Sequence, residues 1–222
     1  MTFGQLVTNE DDIAELAADA AAVIPSAGRG ILGLVGPPGS GKSTLARRLV
    51  RHVNLRYGHG IAAYVPLDGF HLSNVQLEHL GYRSRKGAVF TFDVWGYVAL
   101  LRRLLVEMDH PIYVADYDRD LHEPVGARHV VEPRARLVIT EGNYLASTMP
   151  GWNEIADVVA QLWYVEAAAD LRESRLMRRH SRNGGEDTAR WRVTYNDRVN
   201  AAAVEQDRQR CHRTVSVLHT DA

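Results

Sequence analysis

The sequence predicts an α/β fold of three layers, α/β/α, around a mostly parallel central sheet. Three observations carry that expectation. Apolar runs that read as buried strands alternate with stretches of helical periodicity, the pattern of crossover units. Acidic residues stand where several of those runs end. The run Ile31-Leu32-Gly33-Leu34-Val35 is followed by Gly36-Pro37-Pro38-Gly39-Ser40-Gly41-Lys42-Ser43 and then by the helical stretch Thr44 to Val50. A strand thus delivers a glycine-rich loop to a helix N-terminus, where backbone N–H groups and the helix dipole converge on one anion.

The elements follow in order. Residues 9–24 form an amphipathic helix capped by Thr8 or Asn9, with acids in its first turn and Ile13, Leu16, Ala20 and Ile24 along one face. After the loop and its helix, a second strand runs from Ile61 to Leu67 and ends at Asp68-Gly69-Phe70-His71. Residues 73–92 read as irregular. A helix from Val94 to Met108 buries its leucines, and a short strand, Ile112 to Ala115, leads to Asp116-Tyr117-Asp118-Arg119.

His129 to Arg134 reads as strand and turn before the apolar run 137–140, which ends at Glu141-Gly142-Asn143. Another strand spans Val158 to Val165, and an arginine-rich helix covers 168–180 with Leu171 and Leu176 on its core side. Ser181 to Glu186 contains two glycines and is expected to be a mobile loop. A last helix covers 188–207, and Thr214 to Leu218 is expected to close the sheet as its edge strand. With no internal repeat and no low-complexity linker, residues 1–222 read as one domain, with a substrate cap at about 71–93 and a lid at about 175–192.

Composition excludes several function classes. A net charge of −1 gives no overall field toward nucleic acid or anionic lipid. No apolar segment is long enough to cross a bilayer, and the acidic residues that follow an uncharged start do not form a secretory leader. The single cysteine, Cys211, cannot make an internal disulfide, which fits a reducing compartment and a cytoplasmic location. Of 26 basic side chains only Lys42 and Lys86 are lysines. Arginine is therefore the default surface cation here, and the two lysines carry more information than any arginine cluster.

In the loop, Gly36, Gly39 and Gly41 let the backbone wrap an anion, with Pro37, Pro38, Ser40 and Thr44 completing the cradle. Lys42 suits the outer phosphates of ATP, and the Ser43 hydroxyl suits Mg²⁺. Asp68 ends a strand beside the loop, where a carboxylate can take a hydroxyl proton; the alternative is a plain Asp-Gly turn. Glu141 ends a later strand and fits a metal-holding acid, or else a loop cap. Asp116, Asp118 and Arg119 read equally as substrate contacts or as a solvated loop.

Arg175, Arg178, Arg179 and Arg182 flank the glycine-bearing stretch 181–186 and suit a lid over ATP; the alternatives are a solvated helix face and, after it, a nucleic-acid stripe, which the lack of interleaved aromatics disfavours. His71, His122, His129 and His180 lack zinc-site spacing. Tyr82, Phe90, Phe92 and Trp95 fit either an apolar pocket or packing. The acceptor contacts expected beside Asp68 are His71, Arg83, Lys86, Tyr117, Arg119, Glu141 and Asn143.

Taken together, Gly36–Ser43, Asp68-Gly69-Phe70-His71, Arg85-Lys86-Gly87 with Thr91-Phe92-Asp93, Glu141-Gly142-Asn143-Tyr144 and Arg175-Leu176-Met177-Arg178-Arg179 resemble the phosphoribulokinase, uridine kinase and type I pantothenate kinase group of P-loop kinases. Within it the Glu-Gly-Asn-Tyr-Leu segment looks most like small bacterial kinases labelled nucleoside or fructose-transport kinases. Asp-Gly-Phe-His departs from the Asp-Ser-Phe-Tyr usual in uridine kinases, and the extra N-terminal structure of pantothenate kinases is absent. The resemblance implies a P-loop NTPase fold, Asp68 as catalytic base and Arg179 on the lid. It also implies ATP- and Mg²⁺-dependent transfer to a hydroxyl of a nucleoside, sugar or pantothenate-like metabolite. A small-molecule acceptor is then the expected partner, with a homodimer left open and neither nucleic acid nor membrane involved. The alternative is a regulatory or assembly ATPase without an acceptor.

Overall fold

Six parallel strands form the central sheet of the computed structural model, which describes residues 5–217. They are β1 (Gln5–Val7), β2 (Gly30–Val35), β3 (Ala62–Pro66), β6 (Leu137–Gly142), β7 (Gln161–Glu166) and β8 (Arg213–Val217), in the spatial order β1-β8-β7-β2-β6-β3. The two strands numbered between, β4 (Ile112–Asp118) and β5 (Glu123–Val131), pair with each other in a separate antiparallel hairpin.

Alternate residues of the central strands enter two different cores, which is why these strands are apolar throughout. Ile31, Val35, Val65, Val138 and Leu162 face one layer, with Tyr97, Leu101 and Leu104 of α4 (Val94–Val106). Leu32, Leu34, Ile139, Trp163 and Val165 face the other, with α1 (Glu10–Ala21) and α2 (Lys42–Tyr57). Three layers result.

Several expectations are met at residue level. Asn9 caps α1 in a capping box with Asp12, and Ile13, Leu16 and Ala20 are buried; Ile24 lies past the helix end but still packs on that core. Other expectations need correction. The strand β8 is not the edge of the sheet, because β1 pairs outside it. Three residues are too few to show alternation, so β1 is invisible to periodicity. Leu218 lies outside the described residues.

The stretch 112–118 does not join the central sheet, so Asp116 and Asp118 do not end a strand at its active edge. Residues 73–92 contain a short helix, α3 (Asn74–His79), capped by Ser73. Ser181–Glu186 is not a loop. It lies within α5 (Ala169–Arg192), which leaves helical geometry only at Gly185, φ 74°. Glycine adopts that conformation without steric penalty, so the chain bends and resumes the helix. A π-helical turn, Val193–Asp197, then leads into α6 (Arg198–Gln206). Among the described residues no helix is long and apolar enough to cross a membrane.

Candidate active site

At the C-terminal ends of β2, β3 and β6, three segments meet around one cavity of about 380 Å³. The phosphate loop supplies Pro38, Lys42 and Ser43, the turn after β3 supplies Asp68 and His71, and the middle and last turn of α5 supply Arg179, Arg182 and Arg192. The loop depends on its glycines. Gly39 and Gly41 have φ of 78° and 92°, and a Cβ on Gly36 would stand 2.3 Å from the Val165 carbonyl oxygen. Among the described residues, the buried Ser40 Oγ of the loop and Asn143 Oδ1 at the cavity wall have no hydrogen-bond partner. Such unmet polar atoms suit a ligand with many oxygens.

Charge is concentrated at the floor. Burial lowers the affinity of the Lys42 ammonium for its proton, while Glu141 and Asp68 oppose that effect. Burial likewise raises the pKa of Glu141, with Lys42 pulling it down and Asp68 pushing it up. The Tyr64 hydroxyl donates to Glu141 Oε1 at 2.7 Å. Glu141 lies beneath the cavity and does not line it; Asp68 is one-third exposed, with Arg119 Nη2 at 3.9 Å.

The wall beside Asp68 is aromatic and cationic. His71 Nδ1 sits 2.8 Å from the Asp68 carbonyl oxygen, and its ring stacks between Phe92 and Tyr117 with centroids 4.1 and 4.9 Å away. Desolvation pushes the His71 pKa down, against the pull of Asp68. Lys86 lies 5.1 Å from the Tyr117 ring and donates to Asn74 Oδ1, to the His122 carbonyl and to Glu123.

Of the residues expected at the site, Pro38, Lys42, Ser43, Asp68, His71, Arg83, Lys86, Tyr117, Arg119, Asn143, Arg179 and Arg182 share this cavity. Others do not line it. Gly36, Pro37, Gly39, Ser40, Gly41 and Thr44 build the loop or start the helix behind it. Arg175 donates to the Gly39 carbonyl at 3.1 Å and so braces the loop, and Arg178 is exposed. Asp116 binds His129 Nε2 at 2.8 Å, and Asp118 holds Arg128 and the hairpin turn. Phe92 lines the cavity, whereas Tyr82 and Phe90 stack on each other at the surface and Trp95 is exposed.

Sequence reasoning missed Tyr64, Asn196, Asp197 and Asn200, and weighed His180 only as a zinc ligand. Asn196 Nδ2 donates to the Lys86 carbonyl and Asn200 Nδ2 to the Gly87 carbonyl, at 2.9 and 3.2 Å. The signal was present as two asparagines four apart, one helical turn on a single face. His180 and Asp197 pair at 2.8 Å across the π turn, a feature frequent at functional sites.

A Mg²⁺ ion fits this donor set. The oxygens on offer are the hard donors that ion prefers: the Ser43 hydroxyl and Asp68 carboxylate line the cavity, and the Glu141 carboxylate beneath it is hydrogen-bonded to Ser43. Among the described residues no group of three His, Cys, Asp or Glu side chains forms a complete protein cage. Magnesium in phosphoryl-transfer sites takes its other ligands from substrate phosphates and water.

Comparison with known proteins identifies relatives of the chain and of its fold. The family model described as magnesium chelatase, subunit ChlI, matches residues 11–54, from α1 through the loop into α2. A Schizosaccharomyces pombe protein named "Putative uridine kinase C227.14" is 33% identical over 186 residues, covering 81% of this chain and 79% of its own. The structure of a "putative fructose transport system kinase" from Silicibacter sp. TM1040 is 32% identical with a TM-score of 0.79, covering 94% of this chain and 98% of its own. YFH7 from Saccharomyces cerevisiae, 20% identical, shares the fold with a TM-score of 0.81 over 95% of this chain and 100% of its own. A phosphate loop between β2 and α2, with relatives one-third identical over most of the chain, places it in a family: the chain belongs to the uridine kinase-like group of P-loop kinases.

Proposed function

We propose that the protein is an ATP- and Mg²⁺-dependent kinase that phosphorylates a hydroxyl of a small metabolite. One observation carries this reading. Lys42 and Asp68, the phosphate-binding cation and the candidate base, face one cavity with room for an acceptor as well as a triphosphate end. A regulatory ATPase needs no such room, and no such carboxylate, beside its loop.

The triphosphate lies on the N–H groups that open α2, with Lys42 on its outer oxygens. Ser43 and Glu141 would hold Mg²⁺, which when bound would supply charge neutralisation for the outer phosphates. Asp68 orients the acceptor hydroxyl and takes its proton as the oxygen attacks phosphorus in line. The new P–O bond forms as the bond from the γ-phosphorus to the ADP oxygen breaks, and Asp68 then loses its proton to solvent. Arg179 and Arg182 on α5 balance charge on the phosphoryl group in flight. Exclusion of water by α5 and the 71–93 segment directs transfer to the acceptor.

A coupled ADP-release assay over nucleosides, sugars, pentitols and pantothenate tests this. At least one compound should raise turnover well above the rate with water alone. Slow hydrolysis indifferent to every hydroxyl compound would favour the regulatory ATPase.

A further inference from the structure

The cavity carries more positive charge than a nucleotide end requires. Seven lysine and arginine side chains line it, against the carboxylates of Asp68, Asp120 and Asp197. Asp197 is held by His180, Asp68 faces Lys42 and Arg119, and Asp120 lies on the exposed hairpin turn.

Four of the cations are neither Lys42 of the phosphate loop nor Arg179 and Arg182 beside it, and one of the four, Arg119, faces Asp68, which leaves three. Arg83 and Lys86 come from the segment after β3, and Arg192 from the last residue of α5. They converge. After desolvation, the charges of Arg192, Arg83 and Lys86 are what push His122 toward its neutral form, and Arg83 and Arg192 oppose the charge on Lys86 itself. Lys86 is partly answered by Glu123 at 3.3 Å, and Arg83 by Glu78 at 3.4 Å on the solvent side. Those two acids leave the group cationic.

Its position relative to Asp68 is set by stacked rings. His71 touches the Asp68 carbonyl and stacks on Tyr117, and the Lys86 ammonium lies over Tyr117. A molecule with its hydroxyl at Asp68 would run along His71 and Tyr117 and end among Arg83, Lys86 and Arg192. A neutral nucleoside or sugar adds nothing to balance the positive charge that Glu78 and Glu123 leave on this wall. A carboxylate or phosphate answers them through charge-assisted hydrogen bonds.

On the kinase reading above, we infer that the acceptor is an anionic metabolite, whose carboxylate or phosphate is held by Arg83, Lys86 and Arg192 at the end remote from the phosphorylated hydroxyl. The class differs from the neutral uridine and fructose in the names of the relatives.

Matched pairs test this: pantothenate against pantothenyl alcohol, glycerate against glycerol, ribulose 5-phosphate against ribulose, and uridine 5′-monophosphate against uridine. Within an accepted pair, kcat/KM should favour the anion by about 10- to 100-fold, the worth of one or two charge-assisted bonds. Carboxylate and phosphate arms separate the two anion types. In Arg192→Gln and Arg83→Gln, KM for the anionic member should rise about tenfold. KM for ATP should hold, whereas a merely structural role would move both. Turnover on neutral members with no preference for their anions overturns this inference and leaves the kinase standing. Turnover with no compound of either charge overturns the kinase reading and this inference with it.

Discussion

The Tyr64 hydroxyl donates to Glu141 Oε1 at 2.7 Å, and this bond favours the ionised form of a carboxylate whose pKa burial raises. Tyr64 is itself held from behind. The His129 ring meets it edge-on at 5.2 Å, and His129 is tied to Asp116, so the β4–β5 hairpin backs Glu141 through this tyrosine. Tyr64→Phe should lower stability by about 1–3 kcal/mol, the range for a lost hydrogen bond to a buried charged group. It should also weaken Mg²⁺-dependent ATP binding. Urea unfolding and calorimetric titration with and without Mg²⁺ check this; unchanged values in both would remove Tyr64 as a support.

Asp68→Asn keeps the shape of the turn and removes the proton acceptor. Transfer to the acceptor should fall by roughly 10²–10⁴-fold, the usual worth of a general base, while ATP still binds. Single-turnover phosphorylation beside an equilibrium ATP titration separates the two. Wild-type transfer by this variant would dismiss Asp68 as base.

Gly69 explains why glycine follows that aspartate. A Cβ there would stand 2.3 Å from the Ala115 carbonyl oxygen and 2.4 Å from its carbon, backbone atoms that cannot swing aside. Gly69→Ala should therefore push the turn off β4 and move Asp68, at about 1–3 kcal/mol in stability. The expected pattern is a lower melting temperature together with a kcat loss that persists well below the melt. Full kcat in a folded variant would show that Asp68 tolerates the shift.

His71 makes stability depend on pH in a stated direction. Its folded pKa lies below the ordinary value of 6.5, because desolvation outweighs the pull of Asp68. Between the folded pKa and 6.5 the unfolded chain carries the proton and the native state does not, so stability falls as pH drops through that window. His122 is shifted the same way and adds to the trend. The slope from His71 is at most about 1.4 kcal/mol per pH unit. Denaturant midpoints from pH 7.5 to 5 should decline less steeply in His71→Gln than in wild type; parallel curves would count against it.

Asn196 and Asn200 join α5–α6 to the segment over the acceptor through the Lys86 and Gly87 carbonyls, and the Arg85 guanidinium returns a bond to Asn196 Oδ1. Replacing both by alanine should raise KM for the acceptor by roughly tenfold, as about 1.4 kcal/mol of positioning is lost. ATP affinity should change little, since neither side chain reaches the loop. Equal losses for both substrates would mean that the pair merely holds the fold.

Much of this site is legible in the chain alone, and the reason is local. Residues 31–50 carry strand, loop and helix in one contiguous stretch, so the placement of Lys42 and Ser43 follows from near-neighbour geometry. Asp68 and Glu141 each end an apolar run, and parallel strands bring such ends to one edge. Asp116 misled because a short apolar run looks the same in a central sheet as in a hairpin. Pairing partners, not the run itself, distinguish the two.

The tertiary structure alone decided the rest. That Tyr64 reaches Glu141, that Asn196 meets Lys86, and that Arg83 and Arg192 share a wall are contacts between residues about 80 to 110 positions apart. No local periodicity encodes them. The sequence by itself determined the layered fold, the phosphate loop and the acids at the strand ends, because backbone preference and burial pattern act over short spans. Which cations face the acceptor depends on how α5 bends at Gly185 and packs back over the 71–93 segment, and long-range packing sets that.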